Sequence, residues 1–246
     1  MSEEIELKLL REIEELKEKL GIEEEQNNKK VYQYSNISYN LLKTLVDIKE
    51  NIDNNVFQDW FENDIEIDDS VINMFSQLIK ENEVLVDKYN EEDLKVNVII
   101  PILNKVKFKS FEKKFRDFYE LPLTYESEKF IFNGTTDFVV SKGLVESEKP
   151  YFFIQEFKKG KQNSYPEAQL LAELIAGIEL NNWQKIKGAY IVGSLWYFVI
   201  LEKLDNNKYQ YFVSKKFDSM RLDDLKQIYK NLLFIKEEII HNLDLE

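Results

Sequence analysis

The chain has 246 residues, of which 43% are hydrophobic and 32% are charged, which suits one ordinary domain with an appendage or two small domains. It has no cysteine, which excludes disulfides, thiolate metal sites and cysteine nucleophiles. Its one histidine, His241, argues against a Ser-His-Asp triad and against a histidine-based zinc site. The main catalytic chemistry that remains uses carboxylates and lysines with a hard metal ion such as magnesium.

The negative charge is concentrated in the first third of the chain. Residues 1–89 hold 10 Lys and Arg against 22 Asp and Glu, a net charge of −12, whereas residues 91–221 hold 20 against 18, a net charge of +2. The later part can therefore carry a local basic groove. The acidic N-terminus lacks the apolar stretch of a signal peptide, and the longest nearly apolar run, residues 189–201, is too short to span a bilayer. We expect a cytoplasmic protein with no membrane partner.

The first third is predicted to be an acidic helical domain, residues 1–89. Leucines and isoleucines at spacings of 4, 3 and 4 predict a helix over residues 3–20, whose apolar seam either forms a coiled coil with a second copy or packs on its own domain. These seam residues are Leu9, Ile13, Leu16 and Leu20. A polar linker at 22–34 and helices at 36–62 and 70–89 follow. We expect a homodimer held through this region.

Residues 90–246 are predicted to form a mixed α/β domain. The Asn133-Gly134 pair is typical of a tight hairpin turn between two short strands. The third strand is apolar on both faces, as a central strand should be. The predicted elements are a helix at 91–103, strands at 128–133, 135–141 and 151–158, a helix at 166–179, strands at 188–193, 196–203 and 208–213, and a helix at 222–240. Their order is α-β-β-β-α-β-β-β-α.

The third strand carries the candidate chemistry. Side chains alternate along a strand, so Glu156 and Lys158 share one face. A mutual salt bridge at the strand end is the simple explanation of this pair. If the preceding strand is a neighbour, however, Asp137 converges on the same place, and two carboxylates with the backbone carbonyl of Phe157 make an oxygen site suited to magnesium. Lys158 is then placed to orient the attacking water and to stabilise charge on the phosphorus group.

This arrangement resembles the PD-(D/E)XK nuclease superfamily, with Thr136 in the place of its proline. Residues 90–103 are similar to the first helix of the nuclease domain of type I restriction motor subunits, and residues 154–159, 169–174 and 190–200 are similar to small stand-alone bacterial relatives. The resemblance covers roughly residues 90–240. It implies a restriction-endonuclease-like α-β-β-β-α-β core, a Mg²⁺- or Mn²⁺-dependent nuclease acting on DNA, and a role in restriction or phage defence.

The resemblance also implies roles for two helical residues. Glu91 would be the acid that the first helix contributes to the catalytic metal site; its alternative role is a helix N-terminal carboxylate favoured by the helix dipole. Gln169 would match the glutamine of the helix that follows Glu-x-Lys and would belong to the nucleic-acid rim, with an ordinary exposed polar residue as the alternative. Related exonuclease-like members have tyrosine four residues after that glutamine, whereas this chain has Glu173.

Basic residues suggest a rim that contacts phosphates. The stretch 105–118 contains Lys107 and Lys109 among interleaved aromatics, and Lys159 and Lys161 follow the third strand. The phenylalanines of that stretch are spaced 3, 4 and 3, which predicts one helical face that belongs to the core: Phe108, Phe111, Phe115 and Phe118. Two other functions stay open, a nuclease-fold protein that binds nucleic acid or regulates without cutting, and a helical interaction protein with the β-core as scaffold.

Overall fold

The computed structural model describes residues 29–158 and 166–245. The chain divides into two compact units, Met1–Lys30 and Val31–Glu246. The predicted helix at 3–20 and Lys159 and Lys161 lie outside the described residues. Within the described part of the chain, no helix is both long enough and apolar enough to cross a bilayer.

The described residues of the larger unit form a mixed α/β structure. The helices are α1 Tyr39–Leu45, α2 Gln58–Phe61, α3 Asp69–Asn82, α4 Glu91–Leu94, α5 Ile100–Val106, α6 Pro166–Asn181 and α7 Leu222–Leu245. The strands are β1 Lys30–Gln33, β2 Asp47–Glu50, β3 Lys109–Ser110, β4 Phe115–Glu126, β5 Phe130–Lys142, β6 Glu148–Lys158, β7 Lys185–Val192, β8 Leu195–Asp205, β9 Lys208–Val213 and β10 Phe217–Asp218. A π-helical turn, Lys95–Ile99, joins α4 to α5.

The described strands form one mixed ten-stranded sheet in the order β2-β9-β8-β7-β6-β5-β4-β3, with β1 beside β5 and β10 beside β8. The pairs β6–β7 and β2–β9 are parallel, and the other pairs along this order are antiparallel. A parallel neighbour requires a crossover, and α6 provides it between β6 and β7.

Helices cover both faces of the sheet. Alternation along the strands sends Phe138 and Phe153 into one core, beneath α3, α5 and α7, and sends Val139 and Ile154 into the other, beneath α1 and α6. Helix α6 is buried along most of its length because it lies directly on the central strands. The end of β6 is thereby enclosed between two layers of helix.

The predicted domain boundary at 89/90 differs from the structure, which places residues 31–89 in the same unit as the rest. The predicted helix at 36–62 is wrong: it is α1, then β2, then a 3₁₀ turn and α2. Strand β2 joins the sheet edge, with Asp47 opposite Lys208, and Trp60 and Phe75 enter the main core. The spacing of apolar residues in 36–62 can be seen in the sequence. The pairing of β2 with β9 cannot, because β9 is distant in the chain and strand formation depends on the partner strand.

The predicted turn at Asn133-Gly134 is also wrong, because β5 continues through it. The chain reverses at Ser127, whose hydroxyl accepts a hydrogen bond from the Phe130 N–H at 2.9 Å. Gly134 has φ +149°, and a Cβ there would lie 2.9 Å from Tyr34 Cδ2. This glycine is therefore required by the close approach of the Tyr34 ring and not by a turn.

The phenylalanines of residues 105–118 do not lie on one helical face. Three of them are buried along strand β4 and its approach, whereas Phe111 is 76% exposed on a turn between β3 and β4. Strand β4, absent from the predicted elements, is the first long strand after α5 and follows the two-residue strand β3. From α5 to β7 the elements are α5, β3, β4, β5, β6, α6 and β7, so the three long strands before α6 are β4, β5 and β6, and the two predicted strands at 128–133 and 135–141 are the two halves of β5.

Candidate functional site

The candidate site lies where two neighbouring strands separate. The ladder between β5 and β6 ends at the pair Phe138↔Gln155. Beyond that pair the side chain of Asp137 replaces the missing strand contact, because its Oδ2 accepts a hydrogen bond from the Phe157 backbone N–H at 2.8 Å. The acid of β5 is thus fixed at the mouth of the gap between the strands.

Glu156 and Lys158 lie on the same face of β6, as strand alternation predicts. Glu156 has no exposed surface, and its Oε1 lies 2.6 Å from Lys158 Nζ in a close ion pair. Neither carboxylate oxygen of Glu156 receives an aligned hydrogen bond. Burial, and then the charge of Asp137, raise the pKa of Glu156 well above its ordinary value, while Lys158 acts in the opposite direction. Lys158 Nζ is also 4.0 Å from Asp137 Oδ2.

Glu91 reaches this site from the first turn of α4. Its Oε1 lies 3.8 Å from Lys158 Nζ, and its side chain is 38% exposed. The turn is fixed by a reciprocal cap, in which the Asn90 side chain accepts from the Asp93 N–H and Asp93 accepts from the Asn90 N–H. The structure therefore brings together four residues singled out in the sequence, namely Asp137, Glu156, Lys158 and Glu91.

A second lysine, which the sequence reading missed, holds Asp137 from the helical side. Lys95 Nζ lies 3.0 Å from Asp137 Oδ1 and 2.9 Å from Glu120 Oε1. Burial alone would lower the pKa of Lys95, but Glu120 and Asp137 outweigh it and raise the pKa. Lys95 starts the π-helical turn, a feature often found at functional sites. Its position four residues after Glu91, on the same helical face, was the available signal.

Glu120 was also missed, because its strand was not predicted. It lies within β4 at φ +48°, a left-handed conformation that is uncommon for a residue other than glycine. It falls between the pairs Tyr119↔Phe138 and Leu121↔Thr136, level with Asp137 on the neighbouring strand. With the backbone in this conformation, the Glu120 carboxylate contacts Lys95.

Helix α6 contributes another buried acid. Glu173 is fully buried, and its Oε1 accepts a hydrogen bond from Gln169 Nε2 at 3.1 Å. Burial, and then the charge of Glu156, raise the pKa of Glu173. Gln169 itself is buried, so neither its predicted place on a nucleic-acid rim nor an exposed position is correct. The signal for Glu173 was a carboxylate within an otherwise apolar helix.

Of the lysines predicted as a phosphate-binding rim, the two that the structure describes, Lys107 and Lys109, are not gathered at this site. Lys109 of β3 lies opposite Arg116 of β4, and Arg116 lies opposite Ser141 of β5. Lys109 is therefore two strands away from β5, at a level four residues beyond Asp137. Lys107 caps the C-terminal end of α5 in a left-handed conformation. The cations that the structure does place at the acids are Lys158 and Lys95.

The chemistry of the acids fits a hard divalent ion. The side-chain atoms available as metal ligands are carboxylate oxygens, which Mg²⁺ prefers. Neither oxygen of Glu156 receives an aligned hydrogen bond. In residues 29–158 and 166–245, however, no three Asp, Glu or His side chains are arranged to hold a metal ion directly. The backbone of Phe157, predicted as a carbonyl ligand, contacts Asp137 through its N–H.

No known protein family and no curated protein matches this chain.

Proposed function

We propose that this protein is a Mg²⁺- or Mn²⁺-dependent nuclease that cleaves DNA, built on a restriction-endonuclease-like core. The observation that carries the proposal is the convergence of Asp137, Glu156, Lys158 and Glu91 at the gap between β5 and β6. The order of elements from α5 to β7 and the resemblance of residues 90–240 to PD-(D/E)XK nucleases add to it. A role in restriction or phage defence rests on that resemblance alone.

Each residue of the site has a distinct task in this proposal. Asp137 and Glu156 would hold the ion, with Glu91 contributing directly or through water. The bound ion would polarise the scissile phosphate and lower the pKa of a water molecule. Lys158, paired with Glu156 and 20% exposed, is placed to hold the attacking water and to stabilise negative charge on the phosphate. Hydrolysis adds that water across one P–O bond, and the proton ends on the leaving oxygen.

The test is a cleavage assay with a matched pair of variants. Plasmid, linear and single-stranded DNA and RNA are incubated with the full-length protein in Mg²⁺, Mn²⁺ or EDTA. We expect metal-dependent cutting of DNA by the wild type and by Glu83→Gln, which changes an exposed acid on another part of the surface. Glu156→Gln should abolish cutting, and Lys158→Ala should slow it by orders of magnitude. Full activity of Glu156→Gln would refute the assignment.

One observation favours a second candidate, a nuclease-fold protein that binds nucleic acid or regulates without cutting. Both oxygens of Asp137 are already engaged, Oδ1 by Lys95 and Oδ2 by the Phe157 N–H. Lys95 thus occupies a position that a cation would otherwise take. In the same assay, metal-independent binding of DNA without cleavage supports this candidate over the first.

A further inference from the structure

Buried oxygen atoms without hydrogen-bond partners cluster on the α6 side of the sheet. They are Oε2 of Glu156, Oε2 of Glu173 and the hydroxyl of Tyr34, whereas Oε1 of Glu156 contacts Lys158 Nζ at 2.6 Å. All three side chains are at most 1% exposed, so bulk solvent does not reach them. They belong together electrostatically, since Glu156 raises the pKa of Glu173 and Glu173 contributes to raising that of Tyr34.

Such a group needs an explanation. A buried polar atom without a partner destabilises a protein by about 1–3 kcal/mol, and native proteins keep few of them unless ordered water or an ion satisfies them. The carboxylate oxygens accept hydrogen bonds and bind cations, so the missing partner is a donor or a cation. An anion would be repelled by Asp137, Glu156 and Glu173.

The positions of these atoms indicate contact through water. No three acidic side chains in the described part of the chain are arranged around one point as direct ligands. Glu173 is held by Gln169 on one oxygen, which leaves Oε2 as a single buried acceptor, and Glu156 and Asp137 are near enough to act on its pKa. A divalent ion that keeps part of its water shell supplies donors to acceptors of this kind.

We propose that Glu173 is a positioning residue that accepts a hydrogen bond from the water shell of a divalent ion held at Asp137 and Glu156. This inference rests on the proposed metal-dependent function and extends it to α6. The competing explanation is purely structural: Glu173 is a protonated acid whose only purpose is its hydrogen bond with Gln169. The two explanations differ in whether metal affinity depends on Glu173.

The experiment measures Mn²⁺ binding to the full-length protein by electron paramagnetic resonance of the free ion. Glu173→Gln is compared with Glu179→Gln, the same change on the same helix, where the carboxylate contacts Lys203 and Tyr209. Loss of a residue that orients the metal's surroundings typically weakens affinity by about 10- to 100-fold. We expect this loss in Glu173→Gln and wild-type affinity in Glu179→Gln.

The outcomes separate this inference from the proposed function. If the wild type binds Mn²⁺ and Glu173→Gln binds it equally well, the role of Glu173 is refuted and the proposed function stands. If the wild type binds no Mn²⁺, the proposed function itself fails. Thermal unfolding without metal checks the fold of Glu173→Gln. If that variant does not fold, Glu173→Met, which has similar volume and no charge, takes its place with the same expected loss.

Discussion

Replacing Glu156 with glutamine should change how the stability of the metal-free protein depends on pH. Glu156 is fully buried, and burial, followed by Asp137, raises its pKa well above the ordinary value of 4.5 despite the opposing effect of Lys158. In the unfolded chain the same carboxyl group titrates near that ordinary value. Above about pH 4.5 the folded protein therefore retains a proton that the unfolded chain has released.

The difference in bound protons fixes the sign and slope of the effect. Stability falls as pH rises wherever the folded state binds more protons, so Glu156 destabilises the wild type by about 1.4 kcal/mol per pH unit between the unfolded and folded pKa values. Glutamine does not titrate, so the variant does not lose stability with rising pH at this position. The free energy of unfolding of Glu156→Gln minus that of the wild type should therefore rise by about 1.4 kcal/mol per pH unit in this window.

Urea unfolding in EDTA, followed by tryptophan fluorescence between about pH 5 and pH 8, measures this difference. Trp60 and Trp196 are buried and report loss of the core. Glu83→Gln, which makes the same change at an exposed side chain, is the control. A pH-independent difference for Glu156→Gln would show that the carboxyl is not held protonated by burial and would refute the reasoning.

Three further predictions concern stability and oligomeric state. Gly188→Ala should destabilise the protein by about 1–3 kcal/mol in thermal unfolding, because its Cβ would lie 2.7 Å from the Ile154 carbonyl oxygen; Gly177→Ala should cost less, since its nearest contact is a flexible side-chain end. Tyr34→Phe should leave stability unchanged or raise it by about 1 kcal/mol, and a clear loss would reveal a hydrogen bond to the hydroxyl. Light scattering should show a dimer for the full chain and a monomer for Val31–Glu246; a monomeric full chain would exclude dimerisation through the N-terminal region.

The sequence was informative where the structural signal is local. The apolar strand at 151–158 and the helix at 166–179 were predicted within a few residues, because burial on both faces leaves a continuous apolar pattern. Strand alternation also placed Glu156 and Lys158 on one face, and the Asp137 carboxylate meets them as expected. The alternation of side chains between the two faces of a strand does not depend on the partner strand, so it could be predicted from the sequence alone.

The errors arose where distant contacts decide the outcome. The Asn133-Gly134 pair favours a turn locally, but pairing with β4 on one side and packing of Tyr34 on Gly134 keep the strand continuous. Lys95 and Glu120 come from different elements and meet only at Asp137. No spacing within a single segment could have shown that contact.

The hydrogen bond from the Phe157 N–H to Asp137 affects how related sequences should be compared. Because this carboxylate closes the end of the β5–β6 ladder, an acid or amide at position 137 is selected for folding even in a protein that has lost all chemistry. Glu156 has no such backbone partner, and burial beside Asp137 disfavours its charged form despite the contact with Lys158. Retention of Glu156 is therefore the better marker of an active lineage, and Asp137→Asn, which keeps the acceptor, separates the two roles of Asp137 more cleanly than Asp137→Ala.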